Sequence, residues 1–361
     1  MIYDSIGRVA LGNTAVNAKM LGAKGDGIND DSDFFNYLFK SYKNIYLPEG
    51  IYKISKTLVI PEGVKICGDG ENSVIKLSDV HELTGYEWRN GYKYPYIYVS
   101  GKNCILKDFC VNGDETAARD LGHVGILISG DGTLCHNIRS KNINYFPNEW
   151  IGGTQGYGTV NAPGYGFAVY NCKQVVIDSC RSDGNGYEGI GTENAENVII
   201  KNCFVGDGNR TGIQVHRHCK DIIIANCVVK NTNEYKHADC TIHGDAEPCT
   251  GIKITGCSFL IPIEEKASIH TVTGLESDVI IESCYINSKN RAISIGHDWA
   301  DSALSRNVII ANNVINTETD GILANGDNVV VTGNIIKYSG TPIYISGEHT
   351  VISNNLNLLN S

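Results

Sequence analysis

The sequence predicts an all-β solenoid, and three observations predict it. A short pattern, an apolar triplet followed by a polar pair that closes on Cys or Asn, recurs along the chain. It reads VVIDSC to Cys180, VIIKNC to Cys203, IIIANC to Cys227, IKITGC to Cys257 and VIIESC to Cys284. It continues as VIIANN to Asn313, VVVTGN to Asn334 and TVISNN to Asn355, with successive copies 21–30 residues apart. Between the copies lie second short strands: GFAVY, GIGTE, GIQVH, TIHGD, SIHTV, AISIG, GILAN and PIYIS. Finally, 40 glycines and only two methionines in 361 residues favour many tight turns over a helical bundle. Short strands at a fixed period, punctuated by Gly, Asn and Asp, describe coils stacked one on another. Neighbouring coils then lie about 4.8 Å apart.

The N-terminal stretch departs from this repeat. We divide the chain into a lead-in, residues 1–20, and a solenoid over 21–361. Asn29 or Asp30 is placed to cap a helix whose apolar stripe is Phe34, Phe35, Leu38 and Phe39. The end of a solenoid exposes its apolar core, so a covering helix is physically required there. The motif GDGINDD looks superficially like a calcium loop but lacks a bidentate Glu at the right offset. It reads as a turn leading into the helix cap.

The run GAKGDGINDD, then a short helix, then IYLPEGIYKIS and LVIPEGVKICGDG resembles the opening of pectate-lyase-superfamily proteins. The resemblance implies a single-stranded right-handed parallel β-helix, the pectin-lyase-like solenoid, with a short N-terminal capping helix. It extends in architecture over roughly residues 16–355, while its specific motif covers only about 21–70. The family includes pectin-degrading enzymes, glycoside hydrolase relatives and bacteriophage tailspike or appendage depolymerases. The resemblance therefore implies a polysaccharide partner, a virion or extracellular location, and room for a homotrimer.

Composition narrows the alternatives. The formal charge of −10 argues against nucleic acid, whose phosphates need a basic face. No apolar run is long enough to span a membrane. The first residues, MIYDSIGRVALGNTAVN, lack the basic-then-apolar plan of a secretory signal. Thirteen cysteines, an odd number, rule out a complete disulfide framework. Their position at the end of each repeat predicts an internal ladder of thiols that passes into stacked amides at Asn313, Asn334 and Asn355. An earlier repeat ends at Cys110, and CHNIRSK over 135–141 is a degenerate copy.

Candidate chemistry comes from the second strands. Period-two alternation sends every other residue outward. Aligned on Phe167, Ile190, Ile213, Ile242, Ile269, Ile293, Ile322 and Ile343, these strands give two outward columns. One contains Gln214, His243 and His270; the other runs Tyr170, Glu193, His216, Asp245. Ionisable side chains fall together in four consecutive coils, whereas a merely solvated face would spread Ser, Thr, Lys and Asn along all of them. We take Glu193, His216 and Asp245 as the catalytic centre, with His243 and His270 in support. Gln214, Arg217, Trp150, Tyr170 and Trp299 are the candidate substrate-binding residues. Expanded turns around 145–165, 230–239, 262–267 and 297–306 would wall a groove over the patch. The aromatic loop YEWRNGYKYPYIY over 86–98 is expected to lie too far along the axis to share that site.

Two chemistries fit. Hydrolysis would use Glu193 and Asp245, about 10 Å apart at Cα across two coils, a spacing suited to an inverting pair. β-Elimination would use His216 or His243 as base near neutral pH, with Arg217, Gln214 or His270 holding a uronate carboxylate. Epimerisation shares its first step with elimination, and a non-catalytic glycan-binding or structural appendage is the rival of a different class. No cofactor and no metal are called for. A zinc set drawn from His216, His218, Cys219, Cys240, His243 and Cys249 would need side chains that point to different faces.

Overall fold

The computed structural model describes residues 15–88, 91–113, 122–143, 164–208, 211–230, 238–244, 247–260, 267–271, 276–296 and 305–360. The chain winds as a right-handed parallel β-helix, with parallel strands in three faces along the axis. The first face carries Tyr165–Tyr170, Glu188–Glu193, Thr211–His216, Ala238–His243 and Ile269–Thr271, each paired in parallel with the next. The second carries Val176–Asp178, Glu196–Lys201, Lys220–Ala225, Thr250–Thr255 and Ser277–Glu282. The third begins one turn later, with Arg181–Asp183, Phe204–Val205 and Val228–Val229.

The repeat motif explains the corner between the second and third faces. Its apolar triplet forms the strand. The residue before the closing Cys or Asn takes a left-handed conformation: Ser179 at φ 56°, Asn202 at 55°, Asn226 at 54°, Gly256 at 62°. Asn and Gly tolerate that region best, so one residue turns the corner and the next points inward. Inside, register alignment produces columns. Ile177, Ile200, Ile224, Ile254, Ile281, Ile310 and Val331 pair rung by rung and are all fully buried. Burying each of these side chains contributes roughly 1.5–3 kcal/mol.

The closing column forms the expected ladder. All thirteen cysteines are free thiols and buried. The Cys227 amide donates to Cys257 Sγ at 3.4 Å, and the Cys284 amide to Asn313 Oδ1 at 2.9 Å. Asn334 Oδ1 then accepts from both the amide and the side chain of Asn313, at 2.9 and 3.0 Å, and Asn355 Oδ1 does the same for Asn334. Cys110 falls outside this column. Arg139 and Arg181 pair with each other, and Arg139 with Cys110, so the position equivalent to Cys180 is Ile138 and, one coil earlier, Phe109. Two adjacent candidates for an inward site, Phe109 and Cys110, made the earlier repeat ambiguous in the sequence.

Helix Ser32–Ser41 buries Phe35, Leu38 and Phe39 over the first coils, with Phe34 packed at the margin. Its N-cap is Asp31 rather than Asn29 or Asp30. The Asp31 carboxylate accepts from the Lys24 and Gly25 amides, while Asp30 accepts from the Ser32 amide at 2.9 Å. Asp26 closes the preceding turn by accepting from Ile28 and Asn29. The acidic run thus serves backbone amides, as a turn-and-cap reading requires.

Removing one amide from the ladder should leave a buried donor stranded. Asn334→Ala is expected to lower the unfolding free energy by about 1–3 kcal/mol, whereas Asn316→Ala, at a part-exposed amide pair, changes it much less. Denaturant melts of the two variants compare them directly. A second prediction concerns His123, which is fully buried. Burial first, and then the neighbouring His81, push its pKa down from 6.5 to about 3. The unfolded chain therefore binds a proton that the folded chain refuses. Its contribution is intact above pH 6.5 and is lost as the pH falls toward 3, at up to about 1.4 kcal/mol per pH unit. His123→Phe should melt with a shallower pH dependence across that window than the parent; equal slopes would reject the assignment.

Candidate functional site

The site is built on the outward columns of the first face. Tyr170 pairs with Glu193, Glu193 with His216, and His216 with His243. Each strand ends its inward pair at this point (Phe167 and Val169, Ile190 and Thr192, Ile213 and Val215, Cys240 and Ile242), so the last residue faces outward by alternation. Glu193, His216 and His243 are each only 5 % exposed, so this outward patch is shielded from solvent without belonging to the solenoid core. Glu193 Oε2 lies 3.7 Å from His216 Nδ1, within ion-pair range. The rings of His216 and His243 approach to 4.6 Å between centroids. A carboxylate and two imidazoles thus occupy three consecutive rungs.

This register corrects the predicted one. Ile213 pairs with Cys240, not Ile242, and Gln214 pairs with Thr241, not His243. His243 therefore takes the place beside His216 that the sequence reading gave to Asp245. The strand starts earlier, at Ala238, and the pairing slips by two residues. A one-residue slip would exchange the faces; a two-residue slip keeps every apolar residue inside. Cys240 and Ile242 fill the inward position equally well, so alternation could not separate the two. Asp245 itself lies outside the described residues, as do Trp150 and Trp299 and most of the expanded turns expected to wall the groove.

The second column runs Ala168, Gly191, Gln214, Thr241, His270, Ser294. His270 stands two rungs from Gln214 and is 1 % exposed. Arg217 is at the turn, with φ 35°; its amide donates to the His243 carbonyl and its carbonyl accepts from the Asn194 amide. His218 leaves the site for an exposed pairing with Glu247 at 3.6 Å. Among the described residues, no group of three or more His, Cys, Asp or Glu is placed to hold a metal ion.

The sequence reading missed two components. Glu188 begins the strand that ends at Glu193, is 1 % exposed, and pairs with Thr211. Its carboxylate folds over Gly191, where a Cβ would come within 2.6 Å of Oε2. With the Gln214 amide nitrogen turned toward it, Gln214 donates to both carboxylate oxygens, the longer bond being 2.8 Å. The Glu-Gly-Ile-Gly spacing was the available signal: a glycine three residues on leaves room for the acid to fold back.

The second component is the aromatic loop. Tyr86–Trp88 pairs antiparallel with Gly91–Val99, and this hairpin leans along the axis toward the site. The Trp88 ring stacks on Tyr170 at 4.1 Å and 18° and lies 5.8 Å from Tyr165. Lys93 Nζ sits 4.7 Å from the Tyr165 ring centre. Far from being remote, the loop covers the residue next to Glu193. One face of Tyr170 is consequently occupied by protein.

A family profile described as rhamnogalacturonase A/epimerase, pectate lyase-like, matches residues 15–258. The pre-neck appendage protein of Bacillus phage phi29 is 27% identical over 256 residues, 67% of this chain. The match spans only 29% of that protein's length. An N-terminal fragment of the phi29 gene product 12 superposes with a TM-score of 0.70 at 16% identity, covering 95% of this chain and 66% of the fragment. A mannuronan C-5 epimerase A-module from Azotobacter vinelandii gives 0.65 at 15% identity, over 96% and 100% of the two chains. At that identity the structural likenesses speak for the fold alone, but the profile, matching more than half of the chain, speaks for descent: the protein belongs to the pectate lyase-like rhamnogalacturonase A/epimerase family.

Proposed function

We propose that the protein is a polysaccharide-degrading enzyme that cleaves a glycan lying along the first face, centred on Glu193, His216 and His243. The observation that carries this reading is the shielded column itself. An acid and two imidazoles in successive rungs, almost wholly withdrawn from water, form a set of side chains whose chemistry is to accept and donate protons. A solvated surface has no need to bury them. His270 and Arg217 flank this set and would hold polar or acidic groups of the sugar. The phage appendage relatives favour a virion location, where such an enzyme would meet a surface polymer.

The same relatives favour a second reading, a glycan-binding appendage that does not cut. A panel of rhamnogalacturonan, mannuronan and bacterial capsular polysaccharides, followed by end-group analysis, separates the two. Cleavage should appear as new chain ends on at least one polymer, and Glu193→Gln or His216→Ala should slow it by about a hundredfold or more. Retention of a polymer on the immobilised protein without any shortening would establish binding alone. Cleavage at the parent rate by both variants would remove the chemistry from this column.

A further inference from the structure

We propose that Glu188 is the second carboxyl group of the site, and that Glu188 and Glu193 together hydrolyse the glycosidic bond with inversion. This rests on the glycan-cleaving reading above and assigns its reaction class. The register puts His243 rather than an acid opposite His216, so strand pairing alone does not set a second carboxyl group beside Glu193 across the coils. Glu188 supplies one from the same strand. Its Oε2 stands over Gly191, and Gly191 and Glu193 are successive outward residues of a strand. Such residues are roughly 6.6 Å apart, which sets the carboxyl groups on the order of 7 Å apart. Inverting pairs, which must leave room for a water, stand about 6.5–9.5 Å apart.

The surroundings of the two acids differ in a way that assigns their roles. Glu193 faces the His216 imidazole and is the base. Glu188 faces the Gln214 side-chain amide. An amide has both a donor and an acceptor. Its nitrogen serves an ionised carboxylate and its oxygen serves a protonated one, so Gln214 can satisfy Glu188 before and after proton transfer. That suits the acid. Next along the same column, Thr241 Oγ1 is buried and has no hydrogen-bond partner among the described residues. An orphaned hydroxyl two rungs along the same column from Gly191 is matched by a ligand that is rich in hydroxyl groups and runs along the face.

In the step, Glu193 takes a proton from water as the water oxygen bonds to the anomeric carbon. The glycosidic C–O bond breaks, its electron pair stays on the departing oxygen, and that oxygen takes the proton of Glu188. Exchange with solvent returns a proton to Glu188 and removes one from Glu193. No other reactant is consumed.

The test uses the polymer of the panel that the parent protein cuts. Proton NMR of the first products should show the new end with the anomeric configuration opposite to that of the bond broken. Glu188→Gln should slow cleavage at least about a hundredfold and abolish the fall in rate at alkaline pH that a required acid produces. Gly191→Ala changes no ionisable group and has ordinary backbone geometry, yet its methyl would displace the Glu188 carboxylate; it should also lose at least tenfold with an unchanged melting curve. Parent-like rates in both variants, a retained configuration, or an unsaturated uronate product absorbing in the ultraviolet would overturn the pair and leave glycan cleavage standing. Should the parent cut no polymer of the panel, the pair falls together with the reading it rests on.

Discussion

The parallel hydrogen bonding of each coil to the next is the constraint on which everything else in this molecule depends. It fixes one spacing for all coils, and it fixes register. Once Ile200 sits over Ile177, every residue of equal phase is carried into a column. A column of one residue type then has either to pack with itself or to hydrogen-bond with itself. Isoleucine does the first, and asparagine does the second, each Oδ1 serving the amide and side chain of the coil before. Cysteine does both weakly, being small, apolar and able to accept a backbone donor, as Cys257 does from Cys227. The change from thiol to amide along one column therefore alters its chemistry without altering its geometry.

The same constraint makes a site possible on the outside. Residues 23 to 27 apart in sequence, Glu193, His216 and His243, become nearest neighbours with no loop needed to bring them together. The backbone holds them on rigid strands, where spacing follows from hydrogen-bond geometry rather than from side-chain packing. Glycine adds a second device. At Gly191 the missing side chain leaves a gap in the outward column, and Glu188 fills it by folding back along its own strand. The column therefore contains a carboxyl group at a rung where the sequence has none.

The aromatic hairpin shows how an excursion from early coils reaches later ones. Trp88 ends the short strand that precedes Gly91–Val99, yet its ring rests on Tyr170, more than one coil further along. Tyr98, Leu127 and Ala168 form the outward column beneath it, apolar enough to bury one side of the hairpin. This apolar stretch ends where the acid and imidazole column begins. The face is thus divided along the axis into a packed aromatic part and an ionisable part.

The sequence by itself determined the solenoid, the inward columns, the ladder and the covering helix, because each follows from local periodicity repeated many times. It also determined that Glu193 and His216 are neighbours, since one clear strand of equal length aligns with the next. It did not determine the partner of His216. A strand with apolar residues at both Cys240 and Ile242 satisfies the core in two registers, and only the hydrogen bonds to the coils on either side select between them. Nor did it determine the place of Glu188 or Trp88. Both reach the site by bending away from the column that alternation would give them, and where a side chain bends is decided by the space its neighbours leave.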